Sequence, residues 1–355
     1  MKAVIIAGGK GTRLRPLTYY IPKPMIPIFN KPLLLYQIEL LKKYGITEII
    51  INLHYLSDIV QTILGDGSQF GVKLFYSYEK EPLGTAGAVK NAENYFNEKE
   101  TIIIFNGDIL SDINIEKILN FHEKNKASLT ITLTRVKDPT AFGLVFTDSE
   151  NRITKFLEKP SYDEAVVDTI NAGIYIINSK FLKYVPRGES YSFERGLFPL
   201  LLQLNEPVYG YIDDFYWIDV GNPTKYLQAH REMLLGYTNI DIPALECKKG
   251  NQYFCQNLDC ESSVKFHGPL FIGKNVKIRK SVVINEFSVL GNDVFIDDRT
   301  LITRSIIGSG VRIGENVEIS DCIIGNNCQI EDECKIGKNI VLSDNSILTK
   351  GTLLI

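Results

Sequence analysis

A few short stretches of this chain carry residues that could handle a phosphate ester. The first is Ala7-Gly8-Gly9-Lys10-Gly11-Thr12-Arg13-Leu14-Arg15-Pro16, which follows the apolar run Ala3-Val4-Ile5-Ile6. An apolar strand that opens into glycines lets backbone N–H groups turn toward an anion, and Lys10, Arg13 and Arg15 add positive charge. No Gly-Lys-Ser/Thr closes the loop, and Leu14 stands where the third glycine of a dinucleotide fingerprint belongs, so neither common nucleotide motif applies. Taken alone, the stretch also reads as an ordinary tight turn with solvated cations. The second stretch, Ile21-Pro22-Lys23-Pro24-Met25, holds a lysine between two φ-restricted prolines. Two further stretches offer carboxylates: Asn106-Gly107-Asp108 after the apolar Thr101–Phe105, and Asp219 in Trp217-Ile218-Asp219-Val220-Gly221-Asn222-Pro223. Mg²⁺ takes one or two protein carboxylates and fills the rest of its octahedron with water and phosphate oxygens, so Asp108 fits a first metal ligand. Asn222 and Pro223 read as the cap and first residue of a helix running to about Leu235, which accounts for them but not for Asp219.

These residues need a scaffold. Met1–Ile6, Glu48–Leu53, Val72–Tyr76 and Thr101–Phe105 read as buried strands, and Pro32–Tyr44 and Leu56–Leu64 as helices between them. That alternation predicts a Rossmann-like, mostly parallel sheet covered by helices on both faces, with ligands at the carboxyl ends of the strands. Glu81-Pro82-Leu83-Gly84-Thr85-Ala86-Gly87 follows the third strand; its small residues allow a flat ring to approach, and Thr85 reads equally as a helix cap. From Leu129 to Ile177 the pattern changes to strands at 129–136, 143–147, 152–157 and 169–177, which predicts an antiparallel extension.

Residues 237–268 show no clear period and read as a linker. Beyond them aliphatic residues recur at a six-residue step from Ile272 to Leu348, with a step of five before Ile307 and Ile324. A mostly small or medium residue stands two positions before each. Hexads with two inward residues predict a triangular, left-handed parallel β-helix over residues 269–355, each turn about 18 residues, fourteen hexads making between four and five turns. Cys322, Cys328 and Cys334 fall in register with inward valines, one on each face, and read as core rather than as a metal site.

The glycine loop followed by Ile-Pro-Lys-Pro-Met resembles the signature of the sugar-1-phosphate nucleotidylyltransferases, also called nucleotide-sugar pyrophosphorylases, over residues 1–236. The resemblance implies that Gly8, Gly9, Gly11, Thr12 and Arg13 hold a nucleoside triphosphate, that Arg13 grips the departing phosphates, and that Lys23 stabilises charge at the α-phosphate. It implies further that Gly84 and Thr85 meet the base and ribose, that Gly143, Glu158, Lys159 and Asn171 form the sugar-phosphate pocket, and that Asp219 joins Asp108 as a ligand of the cofactor Mg²⁺. Leu-Gly-Thr-Ala-Gly, Asn-Ala-Gly and Asp-Val-Gly-Asn-Pro, with the C-terminal hexads, look most like mannose-1-phosphate guanylyltransferases, which implies GTP and mannose 1-phosphate as substrates. Enzymes that use glucose 1-phosphate with UTP or dTTP share most of these motifs. A non-catalytic subunit that binds nucleotide sugars is disfavoured, because Arg13, Lys23, Asp108 and Asp219 all stand together. An acyltransferase activity in the β-helix would call for a histidine base among the turns, and only His267, ahead of the first hexad, comes near.

A net charge of −3 over 355 residues leaves no broad basic surface for nucleic acid. No apolar run of membrane-spanning length occurs, and no signal-peptide pattern opens the chain, so we expect a cytoplasmic protein with reduced thiols. The β-helix leads us to expect a homo-oligomer.

Overall fold

The computed structural model describes residues 1–136, 138–158, 161–164, 166–243 and 247–355. The chain divides into two compact units: Met1–Lys10 with Leu34–Trp217, and Gly11–Leu33 with Ile218–Ile355. The cut falls inside the glycine-rich loop.

The first unit is built on a nine-stranded sheet of β1 (Lys2–Ile6), β2 (Glu48–Leu53), β3 (Lys73–Tyr78), β4 (Thr101–Asn106), β5 (Leu129–Arg135), β6 (Gly143–Thr147), β7 (Ile153–Glu158), β8 (Thr169–Asn178) and β9 (Val208–Ile212). Its spatial order is β7-β6-β8-β4-β1-β2-β3, with β5 pairing both β8 and β9. The strands β1 to β4 pair in parallel. They have to be apolar throughout, since helices cover both faces, and Val4, Ile50, Ile102 and Ile104 are all fully buried. Helices α1 (Leu33–Lys43), α2 (Ser57–Leu64), α3 (Gly84–Asn91), α4 (Ile115–Lys124) and α5 (Phe198–Gln203) accompany the sheet. Beyond β4 the sheet turns antiparallel: β8 runs against β4, β5 and β6, and β6 against β7. The sequence pattern anticipates this change of direction but not β9, whose Val-Tyr-Gly-Tyr-Ile lies parallel to β5.

In the second unit the left-handed β-helix presents three parallel sheets whose strands stack turn upon turn. One sheet runs through Leu270–Ile272, Val289–Leu290, Ile306–Ile307, Ile323–Ile324 and Val341–Leu342. In each the second aliphatic points inward, and Ile278, Ile296, Ile313 and Ile330 fill the same interior column on the next face.

The structure corrects the sequence reading here. Gln252–Phe254, Asp259–Cys260 and Lys265–Phe266 already form a turn, paired in parallel with the one after it. At the other end Leu353–Leu354 completes the last turn. Six turns result, where between four and five are expected. The first escapes an aliphatic count because Phe254, Cys260 and Phe266 stand in register with Ile272, Ile278 and Ile284, and of the three only Phe254 is buried while Cys260 is exposed.

A second regularity also escapes that count. Asn275, Ser281, Phe287, Asp293 and Arg299 have positive φ, and the series continues at steps of five or six through Arg304, Gly310, Asn316, Asp321, Asn327, Glu333, Asn339 and Asn345, so these corners turn through left-handed residues. Helix α6 (Pro223–Leu234) belongs to this unit, with the Asn222 side chain accepting from the Lys225 N–H as its cap. No helix among the described residues is long and apolar enough to cross a membrane.

Candidate active site

The residues expected to act fall in both units. In the first unit β1 delivers Gly8 at its carboxyl end, and the Ala7 N–H donates to the Asn52 carbonyl at 3.0 Å, fixing the loop to the end of β2. A Cβ on Gly8 would stand 3.2 Å from Glu79 Oε1 and 3.3 Å from His54 Cβ, so the glycine lies directly against both. Glu79 is only 9% exposed, and its Oε2 accepts from the Leu83 N–H at 2.9 Å. Burial pushes its carboxyl above the usual range, against the Leu83 hydrogen bond and the nearby His54. Glu79 therefore sits where the glycine loop meets the segment expected to receive the base.

In that segment Gly84 opens α3, and a Cβ there would meet the Tyr191 carbonyl oxygen at 2.8 Å. Thr85 is not a cap, since the position before the helix is Leu83. Its hydroxyl donates to Glu194 Oε2 at 2.9 Å and accepts from the Phe193 N–H at 2.9 Å. Glu194 also accepts from the Ser192 hydroxyl at 2.6 Å and, through Oε1, from the Tyr175 hydroxyl at 3.1 Å. Tyr175 in turn accepts from Asn171 Nδ2 at 2.9 Å. Burial first, then the Glu194 charge, holds the Tyr175 phenol well above its ordinary pKa. A chain of hydrogen bonds thus joins Thr85, expected to meet the base, to Asn171, expected to meet the sugar phosphate.

The Asn-Ala-Gly motif owes its form to a bulge in β8. Pairing with β5 shifts between Asn171 and Tyr175, and Gly173 there takes a φ of +73°, which a residue with a Cβ adopts only at a cost. The Gly173 N–H donates to Asn171 Oδ1 at 2.9 Å, and the Ala172 carbonyl accepts from Trp217 Nε1 at 2.8 Å. Asn171 is held at both ends of its amide and keeps one N–H for another partner. Gly143 and Asn171 line one small cavity together with Phe156 and Glu194. The Glu158 backbone pairs with Gly143, while the Glu158 side chain and Lys159 lie outside the described residues.

Asp108 follows β4 directly. The Gly107 N–H donates to the Ile6 carbonyl at 2.9 Å, and a Cβ on Gly107 would stand 2.7 Å from that oxygen, so the close approach of β1 requires a glycine there. Asp108, half-buried, comes off the strand beside the carboxyl end of β1.

The second unit holds the cationic part. Gly11 has φ +62° and begins a single turn, Thr12–Leu14, anchored by the fully buried Leu14. The Gly11 carbonyl accepts from the Leu14 N–H and from the Thr18 hydroxyl. A Cβ on Gly11 would lie 2.9 Å from Lys23 Cβ, so the loop rests on the stem of Lys23, which is 9% exposed. Arg13 is exposed. A Cβ on Gly221 would stand 3.2 Å from Arg13 Nη2 and 3.1 Å from Asp219 Oδ2, and Lys225 Nζ is 3.7 Å from Asp219 Oδ1. Arg13, Asp219 and Lys225 therefore converge at Gly221.

For Mg²⁺, the donor chemistry fits: Asp108 and Asp219 each offer carboxylate oxygens of the kind it prefers. Among the described residues no group of three or more His, Cys, Asp or Glu converges, so a richer protein cage such as Zn²⁺ requires does not arise there.

Sequence reasoning missed Glu79, Glu194 and Lys225. For Lys225 a signal existed, since it falls in the first turn of the helix that Asn222 caps, six residues after Asp219. Glu194 reads from sequence only as the partner of its own cap, Ser192.

Likeness to known proteins marks the chain as one of the enzymes that move a nucleotidyl group. The family model for nucleotidyl transferases matches residues 2–235, and one for the left-handed β-helix domain of the EIF2B epsilon subunit matches residues 249–354. The chain belongs to the nucleotidyl transferase family and, within it, to the sugar-1-phosphate nucleotidylyltransferases. A UTP–glucose-1-phosphate uridylyltransferase of Synechocystis is 34% identical over 88% of this chain and 86% of its own length. A mannose-1-phosphate guanylyltransferase of Mycobacterium tuberculosis is 36% identical over 78% of this chain and 76% of its own. Among solved structures, HddC from Yersinia pseudotuberculosis complexed with GMP-PN is similar, with a TM-score of 0.55 and 31% identity over 64% of this chain and 97% of that one.

Proposed function

We propose that the protein transfers a guanylyl group from GTP to mannose 1-phosphate, giving GDP-mannose and pyrophosphate. An oxygen of the sugar phosphate attacks the α-phosphorus, and the bond to the bridging oxygen of pyrophosphate breaks in line, with no covalent enzyme intermediate. Arg13 and the glycine loop hold the departing phosphates, Lys23 neutralises charge at the α-phosphate, and Glu158 with Lys159 receives the sugar phosphate. Asp108 and Asp219 would hold Mg²⁺, which supplies further charge neutralisation to the phosphates.

The observation that carries the choice of base is Glu79. Guanine offers N1–H and N2–H₂ side by side, two donors that match a carboxylate, which is an acceptor only. Uracil and thymine present one N–H between two carbonyl oxygens, and those oxygens would face the Glu79 charge. The mannose-1-phosphate guanylyltransferase of M. tuberculosis supports the same reading by likeness. A second reading, UTP with glucose 1-phosphate, is favoured by the wider coverage of the Synechocystis relative.

The test is pyrophosphate release from GTP, UTP, dTTP, ATP and CTP against mannose, glucose and N-acetylglucosamine 1-phosphates, for the native protein and for Glu79→Gln. We expect GTP with mannose 1-phosphate to give the highest kcat/KM. Losing one matched hydrogen bond to a charged group should cost GTP about 10- to 100-fold in Glu79→Gln and narrow its lead over UTP. A native preference for UTP or dTTP would overturn the assignment.

A further inference from the structure

The segment after Lys23 ends in a tight hairpin whose two-residue tip is unusual. Pro27 pairs with Pro32 and Ile28 with Lys31, and the residues between, Phe29 and Asn30, both have positive φ, 47° and 62°. Two left-handed residues in succession suit Asn and Gly; phenylalanine is costly there. Such strain persists only where the surroundings over-determine it.

Those surroundings are specific. The Phe29 ring is 1% exposed and lies between His230 of α6, centroids 4.8 Å apart, and Phe271 of the β-helix, 5.1 Å apart. The Phe29 N–H donates to His230 Nε2 at 3.3 Å, and His230 Nδ1 is bonded to the Tyr226 carbonyl at 2.9 Å, the arrangement of a neutral imidazole with its proton on Nδ1. The Tyr226 hydroxyl donates to the Pro27 carbonyl at 2.6 Å. Asn30 Nδ2 donates to Asn292 Oδ1 at 3.0 Å, and that same oxygen accepts from the Lys274 N–H inside the β-helix.

The chain from Lys23 to this tip has little slack. Pro22, Pro24 and Pro27 fix φ at three positions, the Ile26 N–H donates to the Lys23 carbonyl, and the Leu33 N–H donates to the Ile26 carbonyl. A shift of the tip therefore moves Lys23 and, through its stem, the Gly11 turn that rests on it.

We propose that Asn292 of the β-helix and His230 of α6 are positioning residues for Lys23, acting through the Phe29–Asn30 hairpin tip. The β-helix on this account has a task in the reaction, because one of its turns sets where a cation meets the α-phosphate. This inference rests on the role given to Lys23 above.

The test compares Asn292→Asp, Asn292→Ala, Asn30→Asp and Lys23→Ala in the full-length protein, with kcat and both KM values measured well below each unfolding midpoint. Asn292→Asp keeps the acceptor, and Asp298, Asp332 and Asp344 occupy the equivalent turn position in other coils, where they accept the matching N–H. It should fold and retain kcat within about two-fold. Asn292→Ala removes the acceptor and Asn30→Asp sets oxygen against oxygen; each should lower kcat about ten-fold with KM for both substrates within about two-fold. If these two variants keep native kcat while Lys23→Ala loses it, the positioning role is wrong and the role of Lys23 stands. If Lys23→Ala itself keeps native kcat, both fall. Loss of kcat in Asn292→Asp equal to that in Asn292→Ala would also overturn the proposal, since the acceptor would then be irrelevant.

Discussion

In the β-helix, Ile278, Ile296, Ile313 and Ile330 stand at equivalent places in successive turns and meet near-identical neighbours. In the α/β unit Thr85, Asn171, Tyr175 and Glu194 are joined into one hydrogen-bonded network, drawn from segments as far apart as 109 residues. A repeating core spreads its stability over many similar contacts, so damage to one turn is graded and local. A network of single-use hydrogen bonds behaves otherwise: one lost member strands its neighbours, and buried polar groups left without partners are costly.

The largest effects should fall on the groups that the proposed reaction assigns to the α-phosphate and to Mg²⁺. Lys23→Ala and Asp108→Ala should each lower the rate of pyrophosphate release about 10³-fold, as loss of a pre-set charge at a reacting centre does elsewhere. Near-native release from either variant would remove that residue from the site.

Next come two substitutions of comparable severity in the two regions. Ile313→Ala empties part of a fully enclosed column and should cost about 2–5 kcal/mol of stability while leaving both KM values unchanged. Glu194→Gln places a donor where the Tyr175, Thr85 and Ser192 hydroxyls all point their hydrogens. It should cost about 1–3 kcal/mol and raise KM for nucleotide and sugar phosphate together, because that carboxylate holds Thr85, proposed to meet the nucleotide, and through Tyr175 is linked to Asn171, proposed to meet the sugar phosphate. Calorimetry with steady-state kinetics separates the two patterns. Equal KM effects from both variants would erase the contrast.

Acid should weaken both regions through one device. His122 in the first unit and His230 in the second are buried, and burial pulls each down to about 4 from an ordinary value near 6.5. Above about pH 6.5 both folded and unfolded chains keep these rings neutral, and nothing is lost. As pH falls from about 6.5 toward 4 the unfolded chain binds protons that the folded one refuses, so stability drops, by on the order of 3 kcal/mol for each ring once pH lies below both values. A melting temperature flat between pH 7 and 5 would contradict this.

The same contrast explains what the sequence discloses. The β-helix is legible because each hexad repeats the signal of the last, and it stops being legible where Phe254, Cys260 and Phe266 replace the aliphatic residues. The parallel strands β1 to β4 are legible because burial on both faces demands unbroken apolar runs. Arg13, Lys23, Asp108 and Asp219 stand out because glycines, prolines and strand ends frame them. Glu79 and Glu194 do not, since a glutamate between an aromatic residue and a lysine or arginine has no local mark; their meaning comes from Gly8, Thr85 and Tyr175, brought to them by the fold. The hairpin tip is hidden for the same reason, as Ile-Phe-Asn-Lys gives no hint that Phe29 is left-handed or that Asn30 meets Asn292.

The smallest effects should come from the thiols, where the comparison is within the second unit itself. None of the six cysteines is paired in a disulfide; Cys247 and Cys260 are exposed, and Cys255, Cys322, Cys328 and Cys334 are buried. Burial pushes the Cys322 thiol up to about 11 and raises Cys328 and Cys255 as well. A thiolate reagent at neutral pH should therefore modify two cysteines per folded chain quickly and the remaining four only on unfolding, with activity unchanged after the first two react. Replacing Cys328 with valine adds about one methyl group's volume to a column already closed by Val311 and Ile313, and should change stability by no more than about 1–2 kcal/mol. Fast modification of a third or fourth thiol in the folded protein would mean that the turns open individually at low cost, and that the repeat, for all its regularity, is the looser of the two regions.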